Sequence, residues 1–251
     1  MKALIFAAGL GERMRPLTDR TPKPLLDAGG KPLVAWHLEK LAALGVSEVV
    51  INTSWLAVQF PATLGNGERW GLRITYSQEG PVPLETGGGM LHALALLQDD
   101  VFIAVNGDIW SDFDFERLPA QPSGDAHLVL VDNPAHHPNG DFALHGNGQV
   151  VAAGADRLTF SGIGVYRPGI LSNWRDIVAD APGADDAPPR FKLAPLLVAA
   201  MNTGRVNGEH HRGQWTDVGT PQRLQELDQR LLGRAGATGC DSPATPGGHQ
   251  A

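Results

Sequence analysis

Short apolar runs alternate with amphipathic ones through the first half of the chain, and this alternation constrains the fold more than any other feature. Residues 4–7 read as a strand. Residues 33–44 carry apolar side chains at Leu33, Val34, Leu38, Leu41 and Leu44, the spacing of one helix face, and Gly45 closes that helix. Residues 48–52 read as a second strand, 55–64 as a helix weakened by Pro61, and 72–76 as a third strand. Residues 90–97 read as a helix entered through Thr86-Gly87-Gly88-Gly89. Residues 101–105 are apolar throughout, as a central buried parallel strand is. Strands separated by helices specify an α/β fold with a doubly wound, mostly parallel sheet.

The second half is less regular. Residues 126–131 and 158–166 read as strands, and 141–144 with 149–152 as a hairpin around Gly146-Asn147-Gly148, so the sheet is expected to be mixed and to carry a small β extension. A helix over 193–201, a strand over 214–218 and a closing helix over 221–232, with Pro221 in its first turn, complete the pattern. Residues 180–190, rich in Asp, Ala and Pro, read as a surface loop. The expected organisation is one domain over 1–232, with halves at about 1–110 and 111–232, and a disordered tail over 233–251.

Composition removes several function classes. A net charge of −7 with no local basic patch argues against nucleic-acid binding. Cys240 is the one cysteine, which excludes a disulfide within the chain and a cysteine zinc site and points to a reducing compartment. The N-terminal apolar run is too short for a signal peptide, and no run is long enough to span a bilayer, so no membrane partner and a cytoplasmic location are expected.

The first strand delivers Ala8-Gly9-Leu10-Gly11-Glu12-Arg13, then Arg15-Pro16-Leu17-Thr18 and Pro22-Lys23-Pro24. Glycines at a tight turn followed by cations are a way to hold phosphate groups. Met14 stands where a dinucleotide fingerprint needs its third glycine, and no Gly-Lys-Ser/Thr ending marks a P-loop. Pro16, Pro22 and Pro24 are expected to make an extended, stiff loop.

Two acids stand out. Asp108 follows the fourth strand in Asn106-Gly107-Asp108, at the carboxyl end where ligands sit in open α/β sheets. Asp217 lies in Trp215-Thr216-Asp217-Val218-Gly219-Thr220, before the turn that opens the last helix. Two such carboxylates can share one Mg²⁺, a hard cation commonly held by one or two carboxylates together with substrate phosphates. For Asp108 a turn or helix-cap role remains open.

Taken in order, Gly9-x-Gly11-x-Arg13-x-x-Pro16-Leu17-Thr18, Pro22-Lys23-Pro24, Asn106-Gly107-Asp108 and Asp217-Val218-Gly219-Thr220 resemble the sugar-1-phosphate nucleotidyltransferases over residues 1–232. Within that family, Leu84-Glu85-Thr86-Gly87-Gly88-Gly89, the stretch from Val131 to Phe142, Phe160-Ser161-Gly162-Ile163 and Phe191-Lys192-Leu193-Ala194-Pro195-Leu196 are similar to the N-acetylmuramate α-1-phosphate uridylyltransferases.

The resemblance implies a Rossmann-like nucleotidyltransferase fold whose β extension binds sugar. It also implies a reaction of UTP with a sugar 1-phosphate that gives a UDP-sugar and pyrophosphate, with Mg²⁺ as cofactor at Asp108 and Asp217. Arg13 and Lys23 become the catalytic cations, Arg13 on the β- and γ-phosphates and Lys23 on the α-phosphate. Ala8, Gly9, Gly11, Glu12, Glu79, Thr86, Gly87 and Gly88 complete the nucleotide site, with the glycines of the Thr86 turn offering backbone to the uracil edge. Asn106, Asp141, Ser161, Gly162 and Lys192 become the sugar-phosphate site. The partners are these two small molecules, and the expected assembly is a monomer or small homo-oligomer. Another sugar-1-phosphate nucleotidyltransferase and a non-enzymatic nucleotide-sugar sensor are the alternatives.

Overall fold

The computed structural model describes residues 1–98 and 100–237. In chain order the elements are β1 (Lys2–Phe6), β2 (Asp27–Ala28), β3 (Lys31–Pro32), α1 (Leu33–Ala43), β4 (Glu48–Thr53), α2 (Gln59–Leu64), β5 (Arg73–Gln78), α3 (Glu85–Leu97), β6 (Phe102–Asn106), β7 (Ile109–Ser111), β8 (Ala126–Val131), β9 (Phe142–Leu144), β10 (Val150–Val151), β11 (Arg157–Tyr166), α4 (Trp174–Ile177), α5 (Ala194–Met201), β12 (Val206–His211), β13 (Trp215–Asp217) and α6 (Pro221–Ala237).

β5, β4, β1 and β6 lie side by side and parallel. β6 then meets β11 antiparallel, β11 meets β8 antiparallel, and β12 lies parallel to β8 at the far edge. The β9–β10 hairpin pairs with the first residues of β11 and forms the extension. This is the mixed, mostly parallel α/β sheet expected from the alternation.

Period-two alternation assigns the two faces. Ile5, Ile51 and Val105 pack with Val34, Leu38 and Leu41 of α1 on one side, whereas Leu4, Phe102 and Ala104 pack with Met90, Ala93 and Leu97 of α3 on the other. A third cluster joins Met14 of the opening loop to Trp110 of β7, Val218, and Leu227 and Leu231 of α6.

Several boundaries differ from expectation. The opening loop is not extended: it winds through three 3₁₀ turns, Glu12–Met14, Leu17–Asp19 and Lys23–Leu25. Proline suits such turns, because its fixed φ matches their first positions. The helix expected over 55–64 is confined to α2, with Pro61 inside its first turn, where no N–H is needed. α3 begins at Glu85 rather than after the glycines, so Gly87, Gly88 and Gly89 lie inside the helix. α6 continues past residue 232 to Ala237, and the tail expected beyond it, with Cys240, lies outside the described residues. β7 and β12 are not anticipated by any apolar pattern.

Candidate active site

The carboxyl ends of β1, β4 and β6 open onto a cleft of about 660 Å³, within the range of small-molecule sites. Phe6 to Met14, Lys23 and Pro24 form its floor and one wall. Asn52, Glu79, Glu85 and Thr86 form a second wall, and Asn106, Asp108 and Gly219 a third. Ten of the expected site residues therefore meet here: Ala8, Gly9, Gly11, Glu12, Arg13, Lys23, Glu79, Thr86, Asn106 and Asp108.

The two loop glycines serve different ends. Gly11 holds φ +67°, and a Cβ there would stand 2.7 Å from the Thr18 methyl, so the turn itself requires glycine. The same turn is tied by Thr18 Oγ1 donating to Gly11 O at 2.8 Å. A Cβ on Gly9 would meet no protein atom within 4 Å, yet Gly9 lines the cleft. The space beside it is room for a ligand.

The charges are arranged unevenly. Arg13 is exposed on the cleft wall and makes no hydrogen bond or ion pair among the described residues. Lys23 Nζ donates to Asp108 Oδ2 at 2.5 Å. Asp217 Oδ1 accepts from Arg223 Nη1 at 2.6 Å and lies 2.9 Å from His136 Nε2. Glu12 is exposed on the rim.

The β7–β13 ribbon explains how two acids so distant in sequence come together. Asp217 pairs with Ile109, and Val218 N donates to Asp108 O at 2.8 Å. Asp217 itself lies behind Gly219, where a Cβ would stand 3.2 Å from Asp217 Oδ2. Among the described residues no cluster of three His, Cys, Asp or Glu side chains is placed to hold a metal. Two carboxylates are nevertheless a donor set suited to Mg²⁺, and each keeps one oxygen, Asp108 Oδ1 and Asp217 Oδ2, out of the pairings just described.

Glu79 is buried, and burial pushes its carboxyl above the usual range against the opposing hydrogen bonds. Its Oε2 accepts from Leu84 N at 2.8 Å and its Oε1 from Asn52 Nδ2 at 2.6 Å, while Asn52 Oδ1 accepts from Ala7 N at 2.6 Å. Asn52 thus ties the opening loop to the second wall. It stands at the carboxyl end of an apolar strand, one residue before the last, much as Asn106 ends β6, and that position is the signal for it. Arg190 also lines the cleft, from a loop whose composition carries no such signal.

Gly87 and Gly88 are not open to a base. Their N–H groups donate to Phe191 O at 2.9 and 3.0 Å, and a Cβ on either would strike Phe191 or Pro189. The glycines let the 189–192 segment cap the start of α3, which outweighs their cost inside a helix. Ser161 is buried, with Oγ accepting from Ile163 N at 3.1 Å, so its hydroxyl braces the bulge in β11 instead of facing the cleft. Gly162 holds φ +83° in that bulge, packed against the Asn106 side chain. Asp141 is occupied by Phe160 N at 2.8 Å and His137 Nε2 at 3.0 Å. Lys192 is exposed, just ahead of α5, and is not part of the cleft wall.

Residues 2–144 match the family described as Nucleotidyl transferase. The chain belongs to that family. It is 47% identical over 242 residues to a Neisseria meningitidis serogroup B protein named N-acetylmuramate alpha-1-phosphate uridylyltransferase, a match that spans 93% of this chain and 99% of that one. A Caulobacter vibrioides protein of the same name is 36% identical over 244 residues, spanning 91% and 96% of the two chains. The fold is similar to that of HddC from Yersinia pseudotuberculosis, solved in complex with GMP-PN, with a TM-score of 0.71 at 20% identity over 92% of this chain and 99% of that chain. Among the described residues no helix is long and apolar enough to cross a membrane.

Proposed function

We propose that this chain transfers a uridylyl group from UTP to N-acetylmuramate α-1-phosphate, giving UDP-N-acetylmuramic acid and pyrophosphate. The observation that carries the chemistry is the meeting of unpaired Arg13 and the Lys23–Asp108 pair on one glycine-floored cleft. The substrate pair rests on relatives so named, whose similarity runs through the second half of the chain as well as the first.

In the reaction a sugar-phosphate oxygen forms a bond to the α-phosphorus of UTP, and the bond from that phosphorus to the oxygen bridging to the β-phosphate breaks. The nucleophile is already ionised at neutral pH, so no general base is required. Both reactants are anions, and the work of the site is to hold them in line and to neutralise charge as it moves to the leaving group. Arg13 binds the β- and γ-phosphates. Lys23 leaves Asp108 for the α-phosphate. Ala8 and Gly9 seat the base beside Glu79 and Thr86. Asn106 orients the sugar. Asp108 and Asp217 hold Mg²⁺, which when bound offsets phosphate charge. The unit is a single domain with a nucleotide-binding and a sugar-binding half, acting in the cytoplasm as a monomer or small homo-oligomer.

The test is a substrate matrix. Purified protein is offered each nucleoside triphosphate against N-acetylmuramate, N-acetylglucosamine, glucose and mannose 1-phosphates, with pyrophosphate release as readout. UTP with N-acetylmuramate 1-phosphate is expected to give the highest kcat/KM. A different best pair overturns the substrate and leaves the class standing. Pyrophosphate release with no pair overturns both.

A further inference from the structure

β7 is three residues long, yet Asp108 immediately precedes it and it sets the register of Asp217. A strand that short has little pairing of its own. Its inner edge faces β13, where Asp108 O accepts from Val218 N at 2.8 Å and Asp112 N donates to Gln214 O at 3.0 Å. Alternation along an antiparallel ribbon turns the carbonyls of residues 109, 111 and 113 to the opposite edge. Among the described residues no strand lies there, and a buried edge needs partners.

Two side chains of α1 supply them. His37 Nε2 lies 2.9 Å from Ile109 O, and Lys40 Nζ donates to Ser111 O at 2.6 Å and Phe113 O at 2.7 Å. The two residues are three apart on one helix and so share a face. His37 is 3% exposed. With a backbone carbonyl as its partner, Nε2 carries the proton and donates. Burial pushes the imidazole down to about 4, which keeps it in this neutral donor form.

We infer that His37 and Lys40 are positioning residues for the metal carboxylates: by occupying the outer carbonyls of β7 they fix the ribbon that sets where Asp108 and Asp217 stand relative to each other. The inference rests on the reading of those two acids as the Mg²⁺ ligands. It assigns α1, an element that does not touch the cleft through these residues, a part in setting its chemistry.

The experiment compares His37→Gln, which keeps a neutral donor near the Nε2 position, with His37→Leu, which keeps bulk and removes the donor. Lys40→Met is the second site if His37→Leu does not fold. Mn²⁺ affinity is measured by electron paramagnetic resonance in the presence of UTP, and hydrogen exchange of the Val218 amide is followed without metal. His37→Leu is expected to weaken Mn²⁺ binding by roughly ten- to a hundredfold, as loss of a partner behind metal ligands does, and to speed exchange at Val218. His37→Gln is expected to restore both to near the wild-type values. A folded His37→Leu or Lys40→Met protein with wild-type Mn²⁺ affinity and Val218 exchange overturns the inference, as does failure of His37→Gln to rescue. Asp108→Asn in the same series separates the two readings. If it leaves Mn²⁺ affinity unchanged, the metal assignment falls and Val218 exchange alone decides whether the clamp exists.

Discussion

The two halves of the molecule furnish walls of one cleft by different means. In the first half, parallel strands buried on both faces end together, and each delivers a residue from its carboxyl end: the loop after β1, Asn52 from β4, Asn106 and Asp108 from β6. These residues line the cleft. In the second half two of the expected residues, Asp141 and Ser161, are bound to the backbone of their own sheet. Asp141 holds Phe160 N, Ser161 holds Ile163 N, and Trp215 Nε1 donates to Ser161 O at 2.8 Å. The difference teaches that a polar residue in a mixed, bulged sheet first satisfies unpaired backbone, and only the surplus is left for a substrate.

The sharpest way to break that contrast is to compare Asp108→Asn with Asp141→Asn. The first is expected to lower kcat by roughly a thousandfold through lost charge at the metal, whereas the second weakens the fold and changes turnover less than tenfold. Equal losses in a pyrophosphate-release assay would erase the distinction.

A pH experiment probes the α1 support of the first half. His37 is depressed to about 4 from an ordinary 6.5, so the folded state resists a proton that the unfolded chain accepts. Its contribution is fully present above pH 6.5 and is lost as pH falls through 4, by about 3 kcal/mol over the whole window. Urea unfolding between pH 7 and 4 is expected to show less acid destabilisation in His37→Gln than in the wild type, and parallel curves would refute it.

The two loop glycines offer a finer comparison within one wall. Gly11→Ala is expected to cost about 1–2 kcal/mol in thermal unfolding because of its positive φ. Gly9→Ala is expected to leave stability unchanged and to raise the KM for UTP about tenfold by filling ligand space. The reverse pattern would exchange their roles. Smallest of all, Ser161→Ala is expected to cost about 1 kcal/mol of stability with no change in the KM for the sugar phosphate. A raised KM would return Ser161 to the substrate.

How much of this was legible in the sequence follows the same division. The parallel strands announce themselves because both faces are apolar, and the ends of those strands locate Asn106 and Asp108. Asn52 is readable by the same rule. β12, Val-Asn-Gly-Glu-His-His, is an edge strand with a polar face, so no pattern marks it. β7 is too short for periodicity to speak. The Gly87–Gly89 run looked like a ligand turn because glycine permits any close approach, and sequence does not say whether a base or the carbonyl of Phe191 is what approaches. Arg190 was invisible for a related reason: its loop is placed by docking on α3, a contact between distant segments.

The cluster that joins Met14 to Leu227 and Leu231 has a consequence for how this protein comes into being. The opening loop leaves the ribosome long before the α6 side chains that cover its underside, and Gly29 N likewise awaits Asp228 Oδ1 at 2.8 Å. A nascent chain still short of residue 231 carries the loop's sequence without the apolar floor that shapes it. The loop therefore takes its final shape only once α6 has been made, and a product without α6 would retain every residue of the first wall but lack Leu227 and Leu231 beneath Met14.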